Sequence, residues 1–339
     1  MSGRDRTRRA VHHQPVDRIP VFPIQIASAC QMMGVRQKEY FLDPEVMSTT
    51  LVAAGRALYF DGIYISRDNW VYHEALGGAL VYPDDDETYA RQVVLPDFRD
   101  YTKLQIPDPA SAPGMKTVLA AARKTVEESR GEFYLQANID TGPFSLAAVL
   151  RGTQQFIMDL HDERPEDIRD FLRFCTDVVV AYGRAMIATG VDAIQMGEAT
   201  AGLLGDQLFR EYVLPYLVES VERLSNTSSC DRWVHICGNS AHLLPLLRQV
   251  PMEGFELDSD VDMRAAKEIL GGGIALKGNV NTSFLLHASE EEVYEACITL
   301  LREGQFATGI ILSPGCGVPK MTPPSNLRAM VRASKDYRP

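Results

Sequence analysis

Residues 232–239 read RWVHICGN. If the stretch is a strand, positions i and i+2 share a face, so His235 and Cys237 point together and Ile236 points away. If it is helical, the same spacing splays the two side chains by roughly 200°. The apolar run ends in glycine and a polar residue, which favours the strand. The reading sets the fold as well, because seven other runs share this character. They are IPVFPIQI from Ile19, DGIYISRD from Asp61, FYLQANID from Phe133, DAIQMGE from Asp192, GFELDS from Gly254, IALKGNV from Ile274 and GIILSPGC from Gly309.

Helical patterns lie between most of these runs. The clearest spans about Pro165 to Thr189, where Ile168, Phe171, Leu172, Cys175, Val178, Val179, Tyr182 and Met186 recur at spacings of three and four. Pro165 suits the first turn and Gly190 the stop. A second helix is expected over Gln207–Leu224, kinked at Pro215. Others follow Asn239, Asp262, Ser289 and Pro324. Eight strands alternating with helices predict a parallel sheet closed as a (β/α)8 barrel, the TIM-barrel architecture. The doubly wound open sheet is the rival. Its dinucleotide-binding form is weakened because no G-x-G-x-x-G follows the first strand. Residues 1–339 are expected to form one barrel domain, with an N-terminal helical segment and an elaborated excursion at about 69–116 that is rich in Asp, Pro and Gly.

The formal net charge of −11 argues against non-specific nucleic-acid binding, which depends on neutralising phosphates. No apolar stretch is long enough for a membrane span. The N-terminal MSGRDRTRRAVHHQ lacks the apolar core of a signal peptide, so a cytoplasmic protein is expected. Its four arginines suit a short amphipathic helix, and His12 and His13 are expected to be solvated. The six cysteines of such a chain are expected as free thiols or metal ligands rather than disulfides, with Cys175 and Cys297 filling the core.

Barrel enzymes carry their chemistry at the C-terminal ends of the strands. The polar residues expected there are Asp68, Asn69, Asn138, Asp140, Glu198, His235, Cys237, Glu256, Asp258, Asn279 and Cys316. Cys316 ends the last strand in SPGCG, across the mouth from the His235–Cys237 strand. One nitrogen and two thiolates suit Zn2+, and three protein ligands leave the open position of a catalytic site. The competing reading makes His235 a partner of neighbouring backbone and both cysteines buried apolar fillers. His242, on the following helix, is read as a surface or packing residue.

The chain resembles the uroporphyrinogen decarboxylase superfamily over nearly its whole length. The likeness runs through VDRIPVFP, GPFSLAAVLRG, GVDAIQMGEATAGLLGDQLFREYVLPYL, VHICGN, ALKGNV and SPGCGVPKMTPPSNLRAMVRA. The decarboxylases of that superfamily use an R-Q-A-G-R segment after the first strand. Here it reads QIASACQMMGVRQ, with Arg36 its only arginine, so a decarboxylase is the weaker expectation. The zinc-dependent corrinoid methyltransferases carry H-x-C and a distant cysteine, which His235, Cys237 and Cys316 match. The resemblance makes Glu198 a candidate fourth ligand or an acid that orients His235. It implies methyl transfer between a small substrate and the cobalt of a corrinoid (cobalamin) carried by a partner protein. The favoured substrate is a methoxylated aromatic, which would be O-demethylated; the alternative is coenzyme M as thiol acceptor. Tyr64, Trp70, Tyr72, Met32, Met33, Met196 and Phe144 are expected near the mouth, either lining it or as ordinary core. Arg67 and Lys277 are the candidate cations for a sulfonate. A non-catalytic zinc-binding barrel is the reading from a different class.

Overall fold

The structure is a computed structural model and describes residues 1–225 and 229–338. Its strands are β1 (Gly62–Ile65), β2 (Leu80–Val81), β3 (Tyr89–Ala90), β4 (Tyr134–Thr141), β5 (Ala193–Gly197), β6 (Asp231–Ile236), β7 (Gly254–Leu257), β8 (Ala275–Val280) and β9 (Ile310–Pro314). Seven of them pair in parallel in the order β1-β4-β5-β6-β7-β8-β9, while β2 and β3 form a separate antiparallel hairpin. Helices cover the outer face, so the strands are buried on both sides and read as apolar runs rather than alternating ones. All residues of β1, β7 and β9 are buried.

The first expected strand is reduced to a single bridge, Val21 to Leu312. Pro20 and Pro23 flank it, and neither has an N–H to give to a ladder. The ring still closes there. Leu312 N donates to Pro20 O at 2.9 Å, and Asp61 N donates to Val21 O at 2.8 Å. The Val21 N–H goes to the Asp61 carboxylate at 2.7 Å. The chain is therefore a (β/α)8 barrel with seven full strands among the described residues and Val21 in the place of the other.

The helix Gly3–Val11 lies at the N-terminal ends of the strands. Its basic residues meet aspartates that immediately precede strands. Arg6 Nη1 donates to Asp61 at 2.6 Å, and Arg4 Nε to Asp192 at 2.8 Å. His12 pairs with Asp231 at 3.1 Å, and His13 Nε2 is buried. Of the two histidines expected to be solvated, His12 stays exposed while pairing with Asp231, and His13 is partly held against the protein as the arginines bring that segment onto the barrel floor.

The long helix runs Pro165–Ile187, with the proline in its first turn. The helix expected over 207–224 is two, Asp206–Tyr212 and Leu214–Ser225. Pro215 has no N–H to continue the ladder, and the chain breaks just before it rather than bending. Ser289 and Glu292 form a capping box on Glu290–Gly304. The segment after Asn239 makes a short 3-10 turn, Ala241–Leu243, and the helix Leu244–Leu247. Residues 69–116 carry the helix Val71–Ala75, the β2–β3 hairpin and a 3-10 helix, Phe98–Lys103. Among the described residues, no helix is long and apolar enough to cross a membrane.

Candidate metal centre

His235 is the next-to-last residue of β6, and Cys237 follows directly after the strand. The chain then turns at Gly238, whose φ of +72° suits glycine, and its N–H donates to the Asp258 carboxylate at 2.7 Å. Across the mouth, Cys316 follows β9 and Gly315. A Cβ on Gly315 would sit 2.4 Å from Ser259 N, so only glycine allows the two loops to pack this closely. One donor atom each from His235, Cys237 and Cys316 lie within 4.8 Å of one another. His235 is buried, whereas both cysteines are partly exposed.

His235 Nδ1 lies 3.1 Å from the main-chain oxygen of Glu256. A carbonyl only accepts, so Nδ1 carries a hydrogen and Nε2 faces Cys237 Sγ at 3.2 Å. Burial alone would lower the His235 pKa, but the hydrogen bond with Cys316 and the Glu256 charge outweigh it and raise it. Hydrogen bonds from Cys237 and then His235 pull the Cys316 thiol far below its ordinary range. The same Cys316 bond, with burial second, pushes Cys237 up. One thiolate is thus already favoured in the cluster. The donor set fits zinc. A tetrahedral ion would hold such atoms about 3.6–3.8 Å apart, given metal–ligand bonds of ~2.1 Å to nitrogen and ~2.3 Å to sulfur.

Glu198, expected as a fourth ligand or as an acid that orients His235, is hydrogen-bonded elsewhere in this structure and is not among the three clustered residues. Its carboxylate accepts from Phe144 N at 3.1 Å, Ser145 N at 2.9 Å and Ser145 Oγ at 2.7 Å, at the start of the helix Pro143–Arg151. Three donors there claim it, and Glu256 O already claims Nδ1. Burial pushes the Glu198 carboxyl up to about 7, against the hydrogen bonds that lower it.

The two candidate cations are also committed. Lys277 is fully buried and donates to Gln136 Oε1 at 2.7 Å and Glu256 Oε1 at 2.9 Å. Arg67 is buried against Asp68 and Glu74, with Nη1 to Glu74 at 2.7 Å. Among the residues expected at the mouth, Tyr64, Tyr72, Phe144 and Met196 are core, while Trp70, Met32 and Met33 retain exposure. His242 reaches Leu204 O at 3.2 Å and stands outside the cluster. Cys175 and Cys297 are fully buried.

One contributor escaped the sequence reading. Gln136 accepts from Lys277 at 2.7 Å. The available signal was a polar residue at a fully buried position inside apolar FYLQANID. Asp140 is another unusual residue at this end. It is a buried carboxylate with φ of +68° that accepts from Tyr72 N at 3.1 Å, and burial pushes it up to about 7.

A barrel with a histidine and two cysteines converging at its strand ends is enzyme architecture. The chain belongs to the uroporphyrinogen decarboxylase family, whose model, Uroporphyrinogen decarboxylase (URO-D), matches residues 2–337, and it stands on that family's methyltransferase branch. It is 30% identical to the methylcobamide:CoM methyltransferase MtbA of Methanosarcina acetivorans, over 99% of this chain and 98% of the relative. It is 26% identical to a uroporphyrinogen decarboxylase of Trichlorobacter lovleyi, over 94% of each chain. The fold superposes on a methyltransferase from Methanosarcina mazei with a TM-score of 0.89, at 22% identity and 99% coverage of both chains.

Proposed function

We propose that the protein transfers a methyl group between a corrinoid carried by a partner protein and a small thiol, with Zn2+ held by His235, Cys237 and Cys316. The observation that carries this reading is the His–Cys–Cys cluster at the ends of β6 and β9, with both cysteines partly exposed. Bound zinc would supply a Lewis acid with an open position, lowering the pKa of a thiol there to give a thiolate near neutral pH. His235 presents Nε2 because its Nδ1 hydrogen is committed to Glu256 O. Cys316 binds as thiolate at little protonic cost, since its neighbours already favour that form. In the overall exchange the thiol loses its proton, its sulfur gains the methyl group, and the cobalt–carbon electron pair stays with the cobalt. We place this reaction in the cytoplasm.

The thiol is preferred to the methoxylated aromatic because the relatives' names support it. The committed states of Arg67 and Lys277 leave the class at a small thiol rather than a sulfonated one. The partly exposed Trp70 favours a second reading, with a methoxylated aromatic stacked at the mouth. A cobalamin absorbance assay separates the two. Zinc-loaded protein is incubated with methylcobalamin and a panel of thiols, and separately with reduced cobalamin and methoxyaromatics. Turnover with thiols is expected. Turnover only with methoxyaromatics selects the second reading, and silence in both arms rejects methyl transfer.

A further inference from the structure

Below the cluster, the barrel interior holds charge where barrels of this type are filled by branched aliphatic side chains. His235, Glu256 and Lys277 are register partners on β6, β7 and β8, and all three are buried. Lys277 Nζ lies 4.1 Å from the Phe22 ring centre and 2.9 Å from Glu256 Oε1. The other carboxylate oxygen, Oε2, is buried without a hydrogen-bond partner among the described residues and lies 4.0 Å from His235 Nδ1. A buried ion pair is costly to desolvate, and apolar replacement is often neutral or stabilising, so stability alone is a weak reason for one here. Its position offers another reason. Negative charge behind the ring nitrogen that does not bind metal strengthens the nitrogen that does.

We infer that Glu256, steered by Lys277, is a positioning residue for the metal: it holds the His235 ring with Nε2 toward the two cysteines and strengthens Nε2 as a donor. The inference rests on the metal-centre reading above. Lys277 occupies Oε1 and thereby leaves Oε2 for the histidine side. The main-chain oxygen of Glu256 fixes the tautomer, and its side chain adds the field.

The test uses the full chain with Glu256→Gln, Lys277→Met and the double variant. Zinc affinity is measured by chelator competition, the Co2+-substituted protein by its visible spectrum, and stability by denaturant midpoint. Glu256→Gln keeps the main-chain acceptor and the side-chain size, and is expected to bind zinc ~10-fold more weakly and to shift the Co2+ bands. Each single variant strands one buried charge and lowers the midpoint. The double variant removes both charges and recovers the midpoint, while zinc affinity stays ~10-fold down. A pair that serves only the fold gives a double variant with wild-type zinc affinity and Co2+ spectrum, and that result overturns the inference. The double variant decides the matter even if a single one does not fold. Wild-type protein that binds no zinc rejects the metal centre itself, a separate and visible failure.

Discussion

Two buried glutamates flank the barrel mouth, and they are satisfied in opposite ways. Glu198, just beyond β5, receives three hydrogen bonds from the start of one helix. Glu256, on β7, has one lysine on one oxygen and, among the described residues, no hydrogen-bond partner on the other. A carboxylate surrounded by donors from one helix fastens that helix to the sheet. A carboxylate left half-satisfied beside a ring nitrogen keeps its field for the ring. Burial costs both, so the partners, not the depth, separate anchoring from tuning.

The contrast can be broken most forcefully at the cluster between them. Cys237→Ser and Cys316→Ser should each weaken zinc binding by more than ~100-fold and abolish methyl transfer with an unchanged circular-dichroism spectrum, since ligand loss should exceed the 10–100-fold typical of supporting residues. Stoichiometric zinc in either variant, measured by metal analysis, would remove that cysteine from the site. Glu198→Ala comes next. It strands three donors and should cost about 3 kcal/mol in denaturant melts, whereas Glu198→Gln should keep zinc stoichiometric. Zinc loss in the glutamine variant would mean that the carboxylate leaves its helix for the metal, and the distinction between the two glutamates would collapse.

Asp140 sharpens the comparison through pH. Its folded pKa, raised to about 7, exceeds the unfolded value, so the native state binds more protons between the two. Its contribution is fully present below pH ~4 and is lost as pH rises through about 7, by roughly 4 kcal/mol. Asp140→Asn tolerates the same backbone conformation. Its melting temperature relative to wild type should therefore climb from pH 4 to 7 and then level. A constant offset across that range would show that Asp140 is not the titrating group. The smallest effect is expected at His242→Ala, within about 0.5 kcal/mol and with unchanged zinc content. Lost zinc there would place His242 in the site.

Much of this was legible in the sequence, for identifiable reasons. Strands buried on both faces announce themselves as short apolar runs, and seven of the eight expected runs became strands among the described residues. IPVFPIQI misled because apolarity counts side chains, whereas a ladder counts N–H groups, which Pro20 and Pro23 lack. The cluster was readable because strand periodicity places His235 and Cys237 on one face. The position of Glu198 at a strand end was visible, but its donors, 53 and 54 residues earlier, were not. Lys277 looked available for an anion because sequence shows a charge without showing the buried glutamate that neutralises it.

The shortened first strand has a consequence for how the cylinder comes apart. A closed ring yields first where its circumference is held by the fewest bonds. Here that seam is the Pro20–Val21 pair, whose two carbonyls each hold one amide, Leu312 on one side and Asp61 on the other. Those two amides are built-in reporters. Their deuterium uptake would time the unzipping of the barrel wall separately from unfolding of the whole chain.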